Sequence, residues 1–157
     1  MDKQKRRNTD VKVAIAADHG GYTLKEEIKK YLESAGIEYE DFGCKCEDSV
    51  DYPDYALPVA EKVATGAFDR GILICGTGVG MSIAANKVKG IRCALVHDCF
   101  TAKATREHND SNVLAMGERV VGPGLALEIA KIWLGTEFSA GRHLRRVEKI
   151  KEIEDNQ

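Results

Sequence analysis

The sequence predicts an α/β protein in which a five-stranded parallel sheet lies between two layers of helices, a three-layer α/β/α sandwich. Three observations support this class. Short apolar runs typical of buried parallel strands alternate with longer amphipathic segments. The 157 residues are enough for one domain with an ordinary core. Finally, no internal repeat, low-complexity tract or linker divides the sequence.

The predicted elements alternate along most of the chain. The predicted strands are rich in Val, Ile, Leu and Ala, and they are Val11–Ala17, Ile37–Phe42, Gly71–Cys75, Ile91–Val96 and Asn112–Met116. The predicted helices carry apolar residues at helical spacing, and they are Tyr22–Ala35, Tyr55–Thr65, Met81–Lys89, Phe100–Glu107, Leu125–Leu134 and His143–Glu154. Gly36 is expected to end the first helix. A helix between two strands acts as a crossover that keeps the strands parallel.

The two ends of the chain differ from this pattern. Met1–Asp10 is polar and basic, and we expect a flexible extension without the apolar segment of a secretory signal. Residues 11–157 are expected to form a single domain. Its last helix has apolar residues from Leu144 to Ile153 at three-residue spacing, and it is the element least tied to the sheet. We expect this helix to pack on a partner subunit.

Composition and charge exclude several kinds of protein. The formal net charge of −2 gives no general attraction to nucleic acids or membranes, and no apolar run is long enough to cross a bilayer. The cysteines are odd in number and scattered, which argues against a disulfide framework; they are Cys44, Cys46, Cys75, Cys93 and Cys99. The spacing of Cys44 and Cys46 is not that of a zinc site. We therefore expect a cytoplasmic protein with reduced thiols.

The clearest functional signal is a glycine loop, Gly76-Thr77-Gly78-Val79-Gly80, which directly follows the strand that ends at Cys75. Backbone N–H groups in such a strand–loop–helix unit can bind an anion, and open α/β sheets bind ligands at the carboxyl ends of their strands. The loop has neither the pattern of a nucleoside triphosphate site nor that of a dinucleotide site. The alternative is a tight turn that only packs the strand on the helix.

Cys75 lies where a helix N-terminus would favour its thiolate. A thiolate can act as a nucleophile or as a base, and the residues alone leave both roles open. The alternative is a buried, inert cysteine. Cys93 and Cys99 lack the glycine context, and we interpret both as structural.

Asp18 and His19 follow the first strand and are expected at the same edge of the sheet as the glycine loop. A carboxylate and an imidazole there can bind hydroxyls or a phosphate. Gly20 and Gly21 would let the backbone approach a ligand closely. The alternative is an Asp that caps the next helix beside a surface His.

His108 and Asn109 precede the fifth strand in a polar run that predicts a loop. Histidine is the natural proton shuttle near neutral pH, although a capped turn is the alternative. The similar pair His97-Asp98 lacks further support, and we interpret it as structural.

Three arginines are candidate phosphate ligands. Arg142 and Arg146 lie one turn apart on the last predicted helix, so both guanidinium groups can face one side. Arg119 follows the fifth strand. The alternative is solvated charge on a terminal helix.

Together these groups suit proton transfer on a small phosphorylated sugar. Aldose–ketose isomerisation needs a base that removes the proton next to the carbonyl, and donors that hold the enediolate oxygen. It needs no nucleotide, and it needs no metal where backbone N–H groups hold that oxygen. We therefore expect no cofactor and no metal site.

Five sequence blocks closely resemble the type B ribose-5-phosphate isomerases. They occur in the family order and are Ala17-Asp18-His19-Gly20-Gly21, Asp51-Tyr52-Pro53-Asp54-Tyr55, Ile74–Lys87, His108–Leu114 and Gly141–Val147. The resemblance implies a Rossmann-like sheet without a dinucleotide. It implies interconversion of D-ribose 5-phosphate and D-ribulose 5-phosphate through a cis-enediolate, a step of the non-oxidative pentose phosphate pathway. It also implies a dimer or tetramer in which two subunits assemble each site.

The resemblance assigns roles to individual residues. It implies that Cys75 is the proton-abstracting base, because this chain has the cysteine that some members replace by a Glu elsewhere. It implies that His108 assists ring opening as a proton donor and that Thr77, with the glycine loop, holds the enediolate oxygen. The implied substrate contacts, with the arginines as phosphate ligands, are Asp18, His19, Tyr52, Gly76, Gly78, Val79, Gly80, Asn109, Arg119, Arg142 and Arg146.

Three other interpretations stay open. Galactose-6-phosphate isomerase subunits share the scaffold, but they work as unlike pairs of which one type lacks parts of the site. This chain keeps the thiol, the histidine and the arginine pair, which favours a self-sufficient enzyme, and six-carbon substrates such as allose 6-phosphate stay possible. A phosphate-sensing or nucleotide-binding module would need the glycines and arginines but not Cys75. A cysteine hydrolase would form an acyl adduct on Cys75, whereas an isomerase base would not.

Overall fold

The computed structural model describes residues 8–157. Its strands are β1 (Val13–Ala17), β2 (Tyr39–Asp41), β3 (Arg70–Cys75), β4 (Cys93–Leu95) and β5 (Val113–Gly117). Its helices are α1 (Tyr22–Ser34), α2 (Pro53–Ala64), α3 (Val79–Ala85), α4 (Cys99–Asn109), α5 (Pro123–Gly135) and α6 (Arg142–Asp155). Single 3-10 turns cover Asn8–Asp10 and His19–Gly21.

The five strands form one parallel sheet in the order β2-β1-β3-β5-β4. This confirms the predicted α/β/α sandwich with a five-stranded parallel sheet. At the centre, Ala17 pairs with Ile74, and Cys75 pairs with Gly117. The carboxyl ends of β1, β3 and β5 therefore lie side by side, and the strand order reverses between β1 and β3, where open α/β sheets bind ligands.

The central strands bury a hydrophobic core on each face of the sheet, because successive side chains point to opposite faces. Ile15 and Ile74 belong to the core that includes residues of α1 and α5. Leu73 and Cys75 belong to the core that includes residues of α2 and α3. The Cys75 side chain consequently leaves the end of β3 on the α2/α3 face.

Several boundaries differ from the sequence predictions. β2 and β4 are shorter than the predicted Ile37–Phe42 and Ile91–Val96, because each is an edge strand that pairs on one side only. α3 ends at Ala85, earlier than predicted. The Asn86 side chain accepts from the Cys93 N–H at 2.8 Å and donates to the Cys93 carbonyl at 2.9 Å, which turns the chain towards β4.

The predicted loop at His108 and Asn109 is wrong. Both residues occupy the last turn of α4. The helix ends at Asn109, and the next residue, Asp110, has a left-handed φ of 47°, a conformation that Asp adopts more readily than most residues. The two candidate residues therefore sit on a regular element instead of a free loop.

Most of the predicted N-terminal extension, residues 1–7, lies outside the described residues. Asn8–Asp10 forms one 3-10 turn before β1. Between residues 8 and 157, no helix combines the length and the apolar character that a bilayer crossing requires.

A buried ion pair fixes the segment after β2. Lys25 of α1 is fully buried, and its Nζ donates to both carboxylate oxygens of Asp41 (2.9 and 2.8 Å) and to the Cys44 carbonyl (2.6 Å). Lys29 donates to the same carboxylate at 2.8 Å. Burial alone would raise the pKa of Asp41, but the hydrogen bonds from the two lysines and from the Gly43 N–H outweigh it and lower that pKa.

Replacing Asp41 should therefore destabilise the fold. We expect Asp41→Asn to lose about 3 kcal/mol of unfolding free energy, because it leaves the buried Lys25 ammonium without its carboxylate. Urea denaturation at pH 7 measures this loss. Glu27→Gln is the matched control, since it removes the exposed pair with Lys30 and should change stability by less than about 1 kcal/mol.

The unfolding free energy lost in Asp41→Asn should depend on pH. A carboxyl pKa that is lower in the folded state stabilises the protein above the unfolded value of about 4. That contribution disappears as the pH falls through the folded value. The difference between the wild type and Asp41→Asn should therefore be full at pH 7 and shrink below about pH 4. An Asp41→Asn protein as stable as the wild type at pH 7 would contradict the role of the pair.

Candidate active site

Most candidate residues predicted to follow strands lie together at the carboxyl edge of the sheet. Asp18 follows β1, Cys75 ends β3, and Arg119 follows β5. Their strands are adjacent and in register, so the three positions converge. We call this set, with the glycine loop, His19 and Tyr52, the carboxyl-edge group.

The Cys75 sulfur is held against the glycine loop. The residue is 5% exposed, and its Sγ accepts a hydrogen bond from the Gly78 N–H at 3.0 Å. An N–H directed at sulfur stabilises negative charge on that atom. The Cys75 carbonyl accepts from the Glu118 N–H at 2.9 Å, which ties the end of β3 to the segment after β5.

The loop itself offers two unused donors. The N–H groups of Gly76 and Thr77 donate to no acceptor among residues 8–157. Gly78 has a φ of 77°, and a Cβ there would lie 2.6 Å from a Leu95 methyl group, so this position requires glycine. The Thr77 Oγ1 accepts from the Val79 N–H at 3.3 Å. Two neighbouring free N–H groups can bind a developing oxyanion.

Asp18 and His19 line the other side of this loop. Asp18 is 7% exposed, and its Oδ1 accepts from the Gly20 N–H at 2.8 Å. A Cβ on Gly20 would lie 3.0 Å from the Gly76 nitrogen, so glycine permits the close approach of the two loops. The His19 Nδ1 accepts from the Val50 N–H at 3.2 Å, which leaves the proton of the neutral ring on Nε2 as a donor.

Arg119 and Tyr52 complete the carboxyl-edge group. A Cβ on Gly76 would lie 3.0 Å from the Arg119 Nη1, so the guanidinium lies directly beside the loop. A Cβ on Gly80 would lie 2.8 Å from the Tyr52 ring, which therefore packs on the start of α3.

The other four candidates lie at the opposite edge of the sheet. We call His108, Asn109, Arg142 and Arg146 the amino-edge group. The His108 ring stacks on His143 of α6, with centroids 4.3 Å apart and ring planes 14° apart. Arg142 and Arg146 are exposed on α6 and form no ion pair with another residue of the described chain.

The two groups do not meet within one chain. His108 and Asn109 precede the start of β5, whereas Cys75 pairs with Gly117 at its end. Five strand residues separate the two edges by ~13 Å at about 3.3 Å per residue. The structure thus brings together the predicted residues after strands and separates them from the predicted residues on α4 and α6.

Positive groups surround His143 in the histidine stack. Partial burial, together with the neighbouring positive groups His108, Arg142 and Arg146, lowers the pKa of His143. The ordinary value for histidine is about 6.5, so His143 is neutral near pH 7.

Two other cysteines, Cys44 and Cys93, do not share the hydrogen-bonding environment of the Cys75 sulfur. Burial raises the pKa of the Cys93 thiol to about 12, and it also raises the pKa of Cys44. Neither sulfur accepts an N–H bond in the described structure. Between residues 8 and 157, no three His, Cys, Asp or Glu side chains cluster closely enough to hold a metal ion.

Comparison with known proteins gives the family. Residues 13–150 match the model of the family described as Ribose/Galactose Isomerase. The chain belongs to the ribose/galactose isomerase family. This confirms the resemblance predicted from the five sequence blocks, and it favours an isomerase over the phosphate-sensing module and the cysteine hydrolase.

Close relatives cover almost the whole chain. It is 69% identical over 146 residues to the putative sugar phosphate isomerase YwlF of Bacillus subtilis. The alignment covers 92% of this chain and 98% of that protein. It is 51% identical over 143 residues to ribose-5-phosphate isomerase B of Escherichia coli, covering 91% of this chain and 96% of the relative. The structure of Clostridium thermocellum ribose-5-phosphate isomerase B superposes with a TM-score of 0.91 at 57% identity, covering 92% and 98% of the two chains.

Two residues that shape the site of this ribose/galactose isomerase, Glu118 and His97, were not among the predicted site residues. The Glu118 Oε2 accepts from the Leu24 N–H at 2.9 Å, so Glu118 caps α1 and fixes the segment that carries Arg119. The His97 Nε2 accepts from the Gly117 N–H at 3.2 Å. Asp98 caps α4 through the Thr101 N–H at 2.7 Å, which confirms a structural role. No local pattern signals the first two contacts, because both join distant segments.

Proposed function

We propose that this ribose/galactose isomerase interconverts D-ribose 5-phosphate and D-ribulose 5-phosphate through a cis-enediolate. One observation carries the proposal: the Cys75 sulfur accepts an N–H bond inside a loop that also offers the free N–H groups of Gly76 and Thr77. A base and an oxyanion site are thereby adjacent, which is what aldose–ketose isomerisation requires. The reaction belongs to the non-oxidative pentose phosphate pathway.

The proton transfer follows from this arrangement. The Cys75 thiolate takes the proton from C2 of the open-chain aldose, and the electrons of that bond form the C1–C2 double bond. The carbonyl oxygen becomes an enediolate oxygen, which the N–H groups of Gly76 and Thr77 hold. The proton of the C2 hydroxyl then passes to the C1 oxygen, and the Cys75 thiol returns a proton to C1, which gives the ketose and restores the thiolate. Asp18 and His19 hold the sugar hydroxyls, and Tyr52 lines the pocket.

Ring opening and part of the phosphate binding come from a second copy of the chain. The amino-edge group lies ~13 Å or more from Cys75 in its own chain, so these residues reach a carboxyl-edge group only on another subunit. His108 of the partner subunit then protonates the ring oxygen as the bond between that oxygen and C1 breaks. The C1 hydroxyl loses its proton to water and becomes the carbonyl group, and Asn109 contacts a sugar hydroxyl. Arg142 and Arg146 of the partner bind the phosphate with Arg119.

Exposed apolar side chains on α3, on β4 and at the start of α4 support this assembly. Ile83 of α3 is 56% exposed and Phe100 of α4 is 80% exposed, with Val79 and Leu95 nearby at 44% and 40%. A grouped apolar surface marks a protein interface. In a homodimer related by a two-fold axis, two carboxyl-edge groups meet two amino-edge groups.

The domain arrangement and location follow from the same proposal. Residues 11–157 act as one isomerase domain in which α6, with no fully buried residue, packs on the partner subunit. All five cysteines are free thiols, as suits the reducing cytoplasm.

The function is tested by a direct assay. The purified protein, treated with a chelator, is incubated with ribose 5-phosphate, erythrose 4-phosphate and allose 6-phosphate, and the ketose formed from each is measured. We expect the highest kcat/KM with ribose 5-phosphate. Absence of ribulose 5-phosphate would overturn the proposal, and a higher kcat/KM with a four- or six-carbon sugar would assign a different substrate.

Removal of one phosphate ligand should weaken binding. We expect Arg146→Ala to raise KM for ribose 5-phosphate about 10- to 100-fold, since a charge-assisted hydrogen bond contributes about 1.5–3 kcal/mol. Arg145→Ala is the matched control, because it removes the neighbouring arginine on a different face of α6. Steady-state kinetics measure both variants. An unchanged KM for Arg146→Ala would remove this residue from the phosphate site.

A further inference from the structure

Backbone strain is concentrated around the amino-edge group. Among residues 8–157, the non-glycine residues with positive φ are Asp110 at 47° and Ala140 at 51°. Asp110 directly follows Asn109, and Ala140 lies two residues before Arg142. Such conformations persist only where the surroundings hold them, and they cluster at functional sites.

Two arginines from different elements hold Asp110. Arg92, which precedes β4, donates from Nη2 to the Asp110 carbonyl at 2.9 Å and to its Oδ2 at 3.3 Å. Its Nε also donates to the carbonyls of Asn109 (3.0 Å) and Asp110 (3.1 Å). Arg106 of α4, which is 1% exposed, donates from Nη1 to the Asp110 Oδ1 at 2.8 Å. Each carboxylate oxygen thus has its own guanidinium.

The same network reaches the start of α6. The Arg106 Nε donates to the Thr136 carbonyl at 3.2 Å, in the segment that leads to α6. One residue beyond Arg106, the Glu107 carbonyl accepts from the Ser139 N–H at 3.1 Å. The Arg106 side chain, which binds Asp110, therefore also connects the last turn of α4 with the segment that leads to Arg142.

We propose that Asp110 is a positioning residue for the amino-edge group, and this inference rests on the proposed function. Its carboxylate, bound by Arg92 and Arg106, fixes the direction in which the last turn of α4 presents His108 and Asn109 to the partner subunit. A helix cap alone does not need this carboxylate, because glycine is the residue that best suits a left-handed position after a helix.

Glycine therefore separates positioning from capping. Asp110→Gly relieves the backbone strain but removes both ion pairs, so a capping role predicts wild-type kinetics. A positioning role predicts a kcat/KM for ribose 5-phosphate about 10- to 100-fold below wild type, with the loss mainly in kcat. The thermal midpoint should also fall, because the buried Arg106 loses its carboxylate partner. Asp110→Asn, which keeps an acceptor oxygen and tolerates the left-handed backbone, should lose less activity.

Two further measurements exclude a general effect on α4. Asp98→Ala removes the carboxylate that caps the other end of the same helix, and it should lower stability without a comparable loss of kcat/KM. Mixed oligomers of Asp110→Gly with Cys75→Ala should regain activity, because the Cys75→Ala chain supplies an intact amino-edge group. Mixtures with His108→Ala should not.

The outcomes are distinct. Absence of ribose 5-phosphate turnover by the wild type would overturn the proposed function and this inference together. If the wild type is active and Asp110→Gly has the same kcat/KM, the inference alone is overturned. An equal loss in Asp98→Ala, or no recovery in mixtures with Cys75→Ala, would also overturn it, because the effect would then come from damage to the fold.

Discussion

Replacement of Cys75 by alanine is expected to lower kcat for ribose 5-phosphate by about 10³-fold, since general-base catalysis contributes about 10²–10⁴. The variant keeps the free N–H groups of Gly76 and Thr77, so binding of the sugar phosphate should be unchanged. Turnover is measured by ketose formation, and binding by calorimetry with a non-isomerisable sugar phosphate.

The matched control for this variant is Cys99→Ala. Cys99 is a partly exposed free thiol at the start of α4 and lies outside the glycine loop. The Cys99→Ala variant should keep the wild-type kcat, and both variants should retain a cooperative thermal transition. Wild-type turnover by Cys75→Ala would exclude this sulfur as the base. A stable acyl adduct on Cys75 would instead favour nucleophilic catalysis.

Mixed oligomers should show that each site needs two chains. Cys75→Ala and His108→Ala are each expected to be nearly inactive alone. In a random 1:1 mixture about half of the dimers contain one chain of each kind, and one of their two sites has both residues intact. The mixture should therefore regain about a quarter of wild-type activity under this two-fold arrangement.

A second mixture gives the control. Wild-type chains mixed 1:1 with the double variant Cys75→Ala/His108→Ala should retain about a quarter of the activity if sites are shared, and about half if each chain has its own site. The mixtures are prepared by co-expression or by exchange of subunits, and their composition is verified by mass spectrometry. Absence of recovery in the first mixture, with half retained in the second, would place the whole site within one chain.

The carboxyl-edge group was predictable because it depends on the ends of strands. An apolar run that ends in Cys75 and glycines, and another that ends in Asp18, indicate where two parallel strands stop. Parallel strands bring those ends to one edge of the sheet. The sequence order therefore places these residues together before any side-chain contact is known.

The amino-edge group depends on contacts between distant residues, which local sequence patterns do not predict. The polar sequence around His108 and Asn109 predicts a loop. In the structure α4 continues through both residues, because the left-handed conformation that ends the helix is at Asp110. The Asp110 carbonyl and carboxylate bind Arg92, which lies 18 residues earlier in the chain. Lys25 of α1 is a similar case: its partner Asp41 lies on β2, so its burial has no signature in the sequence around it.

The central claim is that Cys75 moves a proton that exchanges with solvent, and deuterium incorporation tests it most directly. Ribose 5-phosphate is brought to equilibrium with ribulose 5-phosphate in D₂O, and the hydrogens at C1 and C2 are followed by NMR. We expect deuterium to enter C1 of the ketose and C2 of the aldose with the wild-type protein, and at a rate about 10³-fold lower with Cys75→Ala. Isomerisation without deuterium after many turnovers, or exchange at the wild-type rate in Cys75→Ala, would contradict the account.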